Sequence, residues 1–160
     1  KEIVQGFRTM VPVVYTFYDI NGHPLYVGKS RNIENRFADH KRRFPEWENI
    51  AYFGFVICED LFNMDLIEII NIHDKKPKHN SDCALYPDDD FQVTFCNTSV
   101  SYIVKNSFEH IIKAEYYTEY WNECKNLADM RLLEKAGFNT ANIDPSTAHK
   151  ILLENIIDKR

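Results

Sequence analysis

The stretch "GHPLYVGKSRN" (Gly22–Asn32) places a glycine, a lysine and a hydroxyl side by side at Gly28, Lys29 and Ser30. That triplet is what a nucleotide-binding P-loop carries: amides around a phosphate, an ammonium for its charge and a hydroxyl for magnesium. The spacing argues against it here. A Walker A loop has four residues between its glycines, whereas Gly22 and Gly28 enclose five. One extra residue turns the amides away from a common anion. "PLYV" is moreover strand-like where that loop should lie, so the P-loop reading fails on spacing and on context.

The chain of 160 residues has a formal net charge of −5, unpromising for a polyanion partner as a total. Residues 1–80 balance 11 Lys+Arg against 11 Asp+Glu, and residues 81–160 hold 8 against 13. Between Lys29 and Arg43, six cations (Lys29, Arg31, Arg36, Lys41, Arg42, Arg43) face only Glu34 and Asp39. Local positive density of this kind matters more to a phosphate backbone than the overall sum. A solvated basic helix face is the plainer reading of the same run.

The elements that must position these residues are legible. "PVVYTFYD" (Pro12–Asp19) is β-branched and aromatic, a strand. Asn21-Gly22 is a hairpin signal, and "HPLYVG" returns as the second strand. Ser30 or Asn32 caps a helix that runs to about Phe44 and is ended by Pro45. Ile33, Phe37 and Phe44 line its inner side, with Arg36 and His40 four apart beside them. "AYFGFVIC" (Ala51–Cys58) is a third strand, and Asp60 caps "LFNMDLIEIINIHD", a helix apolar almost all round. The reading is an α/β (α+β) fold: a small three-stranded, mainly antiparallel sheet flanked by helices over residues 10–80. A mostly helical extension over residues 81–160 packs on it. Its acidic turn "YPDDD" marks the boundary and "FQVTF" reads as a short strand. A long helix is expected from about Ser107, then a short one closed by Gly137 and a last one starting near Pro145 or Ser146.

Four scattered cysteines (Cys58, Cys83, Cys96, Cys124) offer no paired spacing for zinc and fit core positions in a reducing compartment. The expected setting is cytoplasmic, or nuclear in a eukaryote, with no membrane-spanning run and no signal-peptide pattern. A start at Lys1 without methionine reads as a trimmed terminus or a domain cut from a longer protein.

The run "VVYTFYDINGHPLYVGKSRNIENRFADHKRR" resembles the GIY-YIG nuclease superfamily. The triplets are "VVY" (Val13–Tyr15) and "YVG" (Tyr26–Gly28), ten residues apart, followed in order by Ser30, Asn32, Arg36, His40, Glu68, Pro77 and Asn80. Val13 stands where the family's first triplet has glycine. The match covers roughly residues 10–80. It implies a metal-dependent DNA endonuclease using one divalent ion, Mg²⁺ or Mn²⁺, and leaving 5′-phosphate and 3′-hydroxyl ends. A catalytically inactive module that binds nucleic acid or a protein partner is the alternative.

The resemblance also implies roles. Glu68 is the metal ligand; otherwise it faces solvent or pairs with an arginine. Arg36 presents a fork suited to phosphate oxygens, or else forms a surface salt bridge with Asp39 or Glu34. Tyr15 first, and Tyr26 second, orients or deprotonates the water, though each phenol also suits a core position. His40 assists proton transfer or binds phosphate, and Lys29 is a second base or a phosphate contact. Ser30, Arg31, Lys41, Arg42 and Arg43 are candidate DNA contacts, and Gly28 and Asn80 support the site. The Tyr116, Tyr117, Tyr120 and Trp121 cluster reads as core or as the face of a homodimer through the C-terminal half, ahead of base stacking.

Overall fold

The computed structural model describes residues 11–80 and 108–157. The order is β1 (Val13–Tyr18), β2 (Pro24–Ser30), α1 (Ile33–Arg43), a 3₁₀ turn (Trp47–Asn49), β3 (Tyr52–Ile57), α2 (Leu61–Lys75), β4 (His110–Lys113), a 3₁₀ turn (Ala114–Tyr116) and α3 (Tyr117–Lys135). A 3₁₀ turn at Pro145–Thr147 then leads into α4 (Ala148–Leu152), which closes in a wider turn over Leu153–Ile157. The acidic turn at residues 86–90, the strand expected at 91–95, and Cys83 and Cys96 lie outside the described residues.

Local chemistry sets the ends of the first elements. Asp19 Oδ1 accepts from the amides of Asn21 and His23 at 2.9 and 2.8 Å, tying the hairpin turn. Gly22 there has φ +79°, a conformation without penalty only for glycine. Asn32 caps α1 by accepting from the Asn35 amide, and Ser30 Oγ accepts from Asn32 N at 2.9 Å, so both candidates serve the same entry. Phe44, before Pro45, is already extended at φ −76° and ψ 122°, as a pre-proline residue must be. Asp60 caps α2 through the Asn63 amide at 2.8 Å.

The sheet has four strands in the order β2-β1-β3-β4, all antiparallel. Expecting three was an undercount. The fourth, "HIIK", lies where the long helix was expected to begin. Its two β-branched isoleucines pair with the free edge of β3, Ile112 opposite Phe53 and Ile111 opposite Gly54. The helix therefore starts ten residues later, at Tyr117. It then runs unbroken to Lys135 rather than as two pieces, because nothing between Asn122 and Asp129 interrupts it. Gly137, at φ +88°, follows its end.

Every residue of β1 is buried, since helices cover both faces of the sheet. On one face Val13, Tyr15 and Phe17 meet Ile33 and Phe37 of α1, Phe53 and Phe55 of β3, and Trp121 and Cys124 of α3. On the other, Val14, Val27 and Val56 meet Met64 and Ile67 of α2. Tyr117 stacks on Phe37 with ring centroids 4.8 Å apart, and Tyr120 on Phe55 at 5.2 Å. Trp121 is 2% exposed and belongs to the core, against which Tyr117 and Tyr120 pack partly buried; Tyr116 is the exposed member of the cluster. Cys58 and Cys124 are buried free thiols, and burial pushes them up to about 12 and about 11. No helix among the described residues is long and apolar enough to cross a membrane.

Candidate active site

The pairing of β1 with β2 sets Tyr15 directly opposite Gly28 and Phe17 opposite Tyr26. Directly opposed residues share a face of the sheet, with Cβ atoms about 5 Å apart. Here one of the pair has no side chain, and the Tyr15 ring lies in the space so left. A Cβ built on Gly28 would stand 2.5 Å from the Tyr15 hydroxyl and 2.7 Å from the Tyr26 ring. Glycine is required at this position by close approach, and the two phenols converge because of it.

Helix α1 supplies the groups that meet them. Arg36 and His40, one turn apart, lie beside the buried Ile33–Phe37 stripe. Arg36 Nε donates to the Tyr15 hydroxyl at 3.2 Å, and the two phenols, Tyr15 ahead of Tyr26, hold the guanidinium above its ordinary value against a lowering by burial. The Tyr15 oxygen lies 2.8 Å from His40 Nε2. Burial, then the Arg36 charge, depress His40 to about 4, against a weaker upward pull from Asp39. His40 is neutral at pH 7. In the tautomer that carries its proton on Nδ1, His40 accepts a hydrogen bond from the Tyr15 hydroxyl, giving a directed chain from Arg36 through Tyr15 to His40. Tyr15 itself is fully buried and held well above the ordinary phenol value, by desolvation first and Tyr26 second, with Arg36 and its hydrogen bond opposing. A free phenolate is thus not the resting state.

The carboxylate side of the site comes from α2. Glu68 is only 18% exposed, and its Oε2 lies 2.9 Å from Lys29 Nζ. It is near enough to raise Tyr15 electrostatically, which joins it to the α1 groups. Strand alternation sends Lys29, the residue after Gly28, toward α2, where its ammonium is also 2.9 Å from Asp65 Oδ1. The hydrogen bond with Glu68, and then that with Asp65, hold Lys29 above its ordinary value against a lowering by burial. Asp65 escaped the sequence reading, although its position three residues before Glu68 on a helix was a usable signal.

Asn80 fixes the strand beneath. Its Oδ1 accepts from Val27 N and its Nδ2 donates to Val27 O, both at 2.8 Å, and it is 6% exposed. With His79 N donating to Leu25 O at 2.9 Å, the chain after α2 runs along the outer edge of β2. The other cations divide. Arg31 and Arg43 are exposed, and Arg43 continues the Arg36–His40 side of α1 one turn on. Arg42 pairs with Asp39, and Lys41 lies around the helix on a groove shared with Glu34, Trp47 and Tyr117. Ser30 is committed to the turn before α1. His73 is exposed beside Asp74, and His79 sits 3.4 Å from Glu46.

Glu68 suits a hard divalent cation: an oxygen donor, mostly withdrawn from water, with a positive group already seated against it. No group of three or more His, Cys, Asp and Glu gathers among the described residues. An ion held at Glu68 would therefore complete its shell from water and a bound phosphate.

Fold and site together define a hairpin-and-helix module in which two tyrosines, an arginine and a histidine meet over a glycine, with a carboxylate at their margin. Residues 11–44 match the family model of the GIY-YIG catalytic domain, so the resemblance drawn from the residues holds. The chain is 33% identical over 75 residues to UvrABC system protein C of Streptococcus pneumoniae (strain JJA), covering 43% of this chain and 12% of that protein. Against UvrABC system protein C of Streptococcus gordonii the identity is 29% over 89 residues, 50% of this chain and 15% of the relative. The chain thus spans under a sixth of the length of these relatives.

Proposed function

We propose that this chain is a metal-dependent DNA endonuclease, hydrolysing phosphodiesters to 5′-phosphate and 3′-hydroxyl ends. The observation that carries the reading is the hydrogen-bonded chain Arg36–Tyr15–His40 closing over Gly28, with Glu68 within electrostatic reach of Tyr15. The family match and the partial likeness to UvrABC system protein C support the same reading.

Glu68 would hold Mg²⁺ or Mn²⁺, which supplies a charge on the phosphate oxygens. The protein's own part follows from the chain of bonds. Arg36 is exposed at the outer end and turns its fork from Tyr15 to the phosphate, where charge grows in the transition state. That movement uncovers the Tyr15 oxygen. As water attacks phosphorus, Tyr15 takes the water's proton and passes its own to His40 Nε2, and the 3′-oxygen leaves with a proton from solvent. Tyr15 acts as a relay, and its raised pKa is then no obstacle. Exposed Arg31 and Arg43 extend the cationic surface along the DNA backbone.

The test is plasmid nicking in Mg²⁺ or Mn²⁺ by the wild type beside Arg36→Ala and Glu68→Ala. The expected losses are about 10²-fold or more for each. Equal nicking by all three would indicate a contaminant and overturn the assignment. Binding of DNA with no cleavage of linear, branched or single-stranded substrates would make the chain a binding module.

A further inference from the structure

Lys29 holds a position the reaction does not explain. Its ammonium bridges Asp65 and Glu68 at 2.9 Å each, at the residue adjoining Gly28. Asp65 is more than half exposed and gains little from the contact. Glu68 is mostly buried and, next to a second carboxylate one helical turn away, needs a counter-charge. The cation seated on Glu68 is thus supplied by the protein itself. A divalent ion bound to the same carboxylate would put two like charges within about 4 Å of each other, where they repel. Lysine, a point charge on a flexible four-carbon stem, can leave without disturbing the strand that carries it.

We propose that Lys29 is an internal stand-in for the metal: its ammonium neutralises Glu68 in the metal-free protein, and a divalent ion arriving at Glu68 displaces it. Asp65 keeps the freed ammonium at the rim of the site, turned toward the phosphate. This inference rests on the reading of Glu68 as the metal ligand. It makes metal affinity a competition, so that Lys29 keeps the carboxylate ordered when no ion is bound and weakens the ion when one is.

Manganese titration of the intact chain, without DNA, tests it with wild type, Lys29→Met, Lys29→Arg and Glu68→Gln, each first shown to melt cooperatively. Lys29→Met should bind Mn²⁺ about two- to fivefold more tightly than wild type, the range expected for removing a partly exposed, competing ion pair. Lys29→Arg should stay near wild type, and Glu68→Gln should lose at least about tenfold. In parallel, acylation of Lys29 by an amine-reactive ester, mapped by mass spectrometry, should rise several-fold on saturation with Mg²⁺. In Glu68→Gln it should start higher and not respond. Wild-type or weaker affinity in Lys29→Met, with binding still lost in Glu68→Gln, overturns the exchange and leaves Glu68 as ligand. Unchanged binding in Glu68→Gln, or none in the wild type, overturns both.

Discussion

Replacing Gly28 with alanine adds one methyl group at the point where the two phenols converge. Its φ is not in the positive region, so the backbone accepts alanine and the effect is purely one of space. The new carbon would lie 2.5 and 2.6 Å from the Tyr15 hydroxyl and ring carbon and 2.7 Å from Tyr26, where ordinary contact needs at least 3.4 Å. Something must retreat by close to an ångström. Tyr15 has little room to do so: it is fully buried and packed 5.3 Å from both Phe17 and Phe37, centroid to centroid. Overpacking a closed core costs about 1–3 kcal/mol. For a chain of this size that is about 3–9 °C in melting temperature. Any retreat also lengthens the 2.8 Å and 3.2 Å contacts to His40 and Arg36, so nicking should fall by much more than stability does. Differential scanning calorimetry and the plasmid assay measure the two effects separately. Gly22→Ala is the control: nothing lies within 4 Å of its Cβ, but φ is +79°. It should lose about 1 kcal/mol to backbone strain and keep its nicking rate. A Gly28→Ala protein with wild-type melting and activity would refute the close-approach argument.

Two further outcomes follow from the same geometry. Asn80→Ala removes both bonds to Val27 and leaves a buried amide and carbonyl unpaired, costing about 2–4 kcal/mol in urea unfolding, while Asn80→Asp, which keeps the acceptor, should lose less. His40, neutral when folded and near 4, disfavours its cation relative to the unfolded chain. Its contribution to stability is complete above about pH 6.5 and is lost as pH falls toward 4. Imidazole proton shifts should titrate near 4, and His40→Gln should flatten the loss of stability between pH 6.5 and 4.

What could be read beforehand was what a few neighbouring residues decide. Asn21-Gly22, Asn32, Pro45 and Asp60 each act within four residues of themselves, and the hairpin and two helices they delimit lie where they indicate. The order Tyr15, Tyr26, Arg36, His40 and Glu68 carried the family because a hairpin followed by a helix has few ways to fold. Apart from Asp65 and the unbroken run of α3, the misses are long-range. "HIIK" is a strand only because the edge of β3 is open to it, and by composition it blends into the aromatic helix that follows. The Lys29 bridge to α2 needed two elements to be docked before it could be seen. So did the pairing of buried Lys125 on α3 with Glu34 in the first turn of α1.

The place of β4 and α3 in the sheet and core also sets a timetable for synthesis. Once Asn80 has been made, every residue of the proposed site exists, yet β3 still presents an unpaired edge, and Phe37, Phe53 and Phe55 lack their covers. Those arrive only with Ile112, Tyr117 and Trp121, some 30 to 40 residues later. At the usual pace of elongation that is about 2–8 seconds. A newborn chain therefore carries the side chains of the candidate site before it can hold them rigid, and geometry becomes the last thing it acquires.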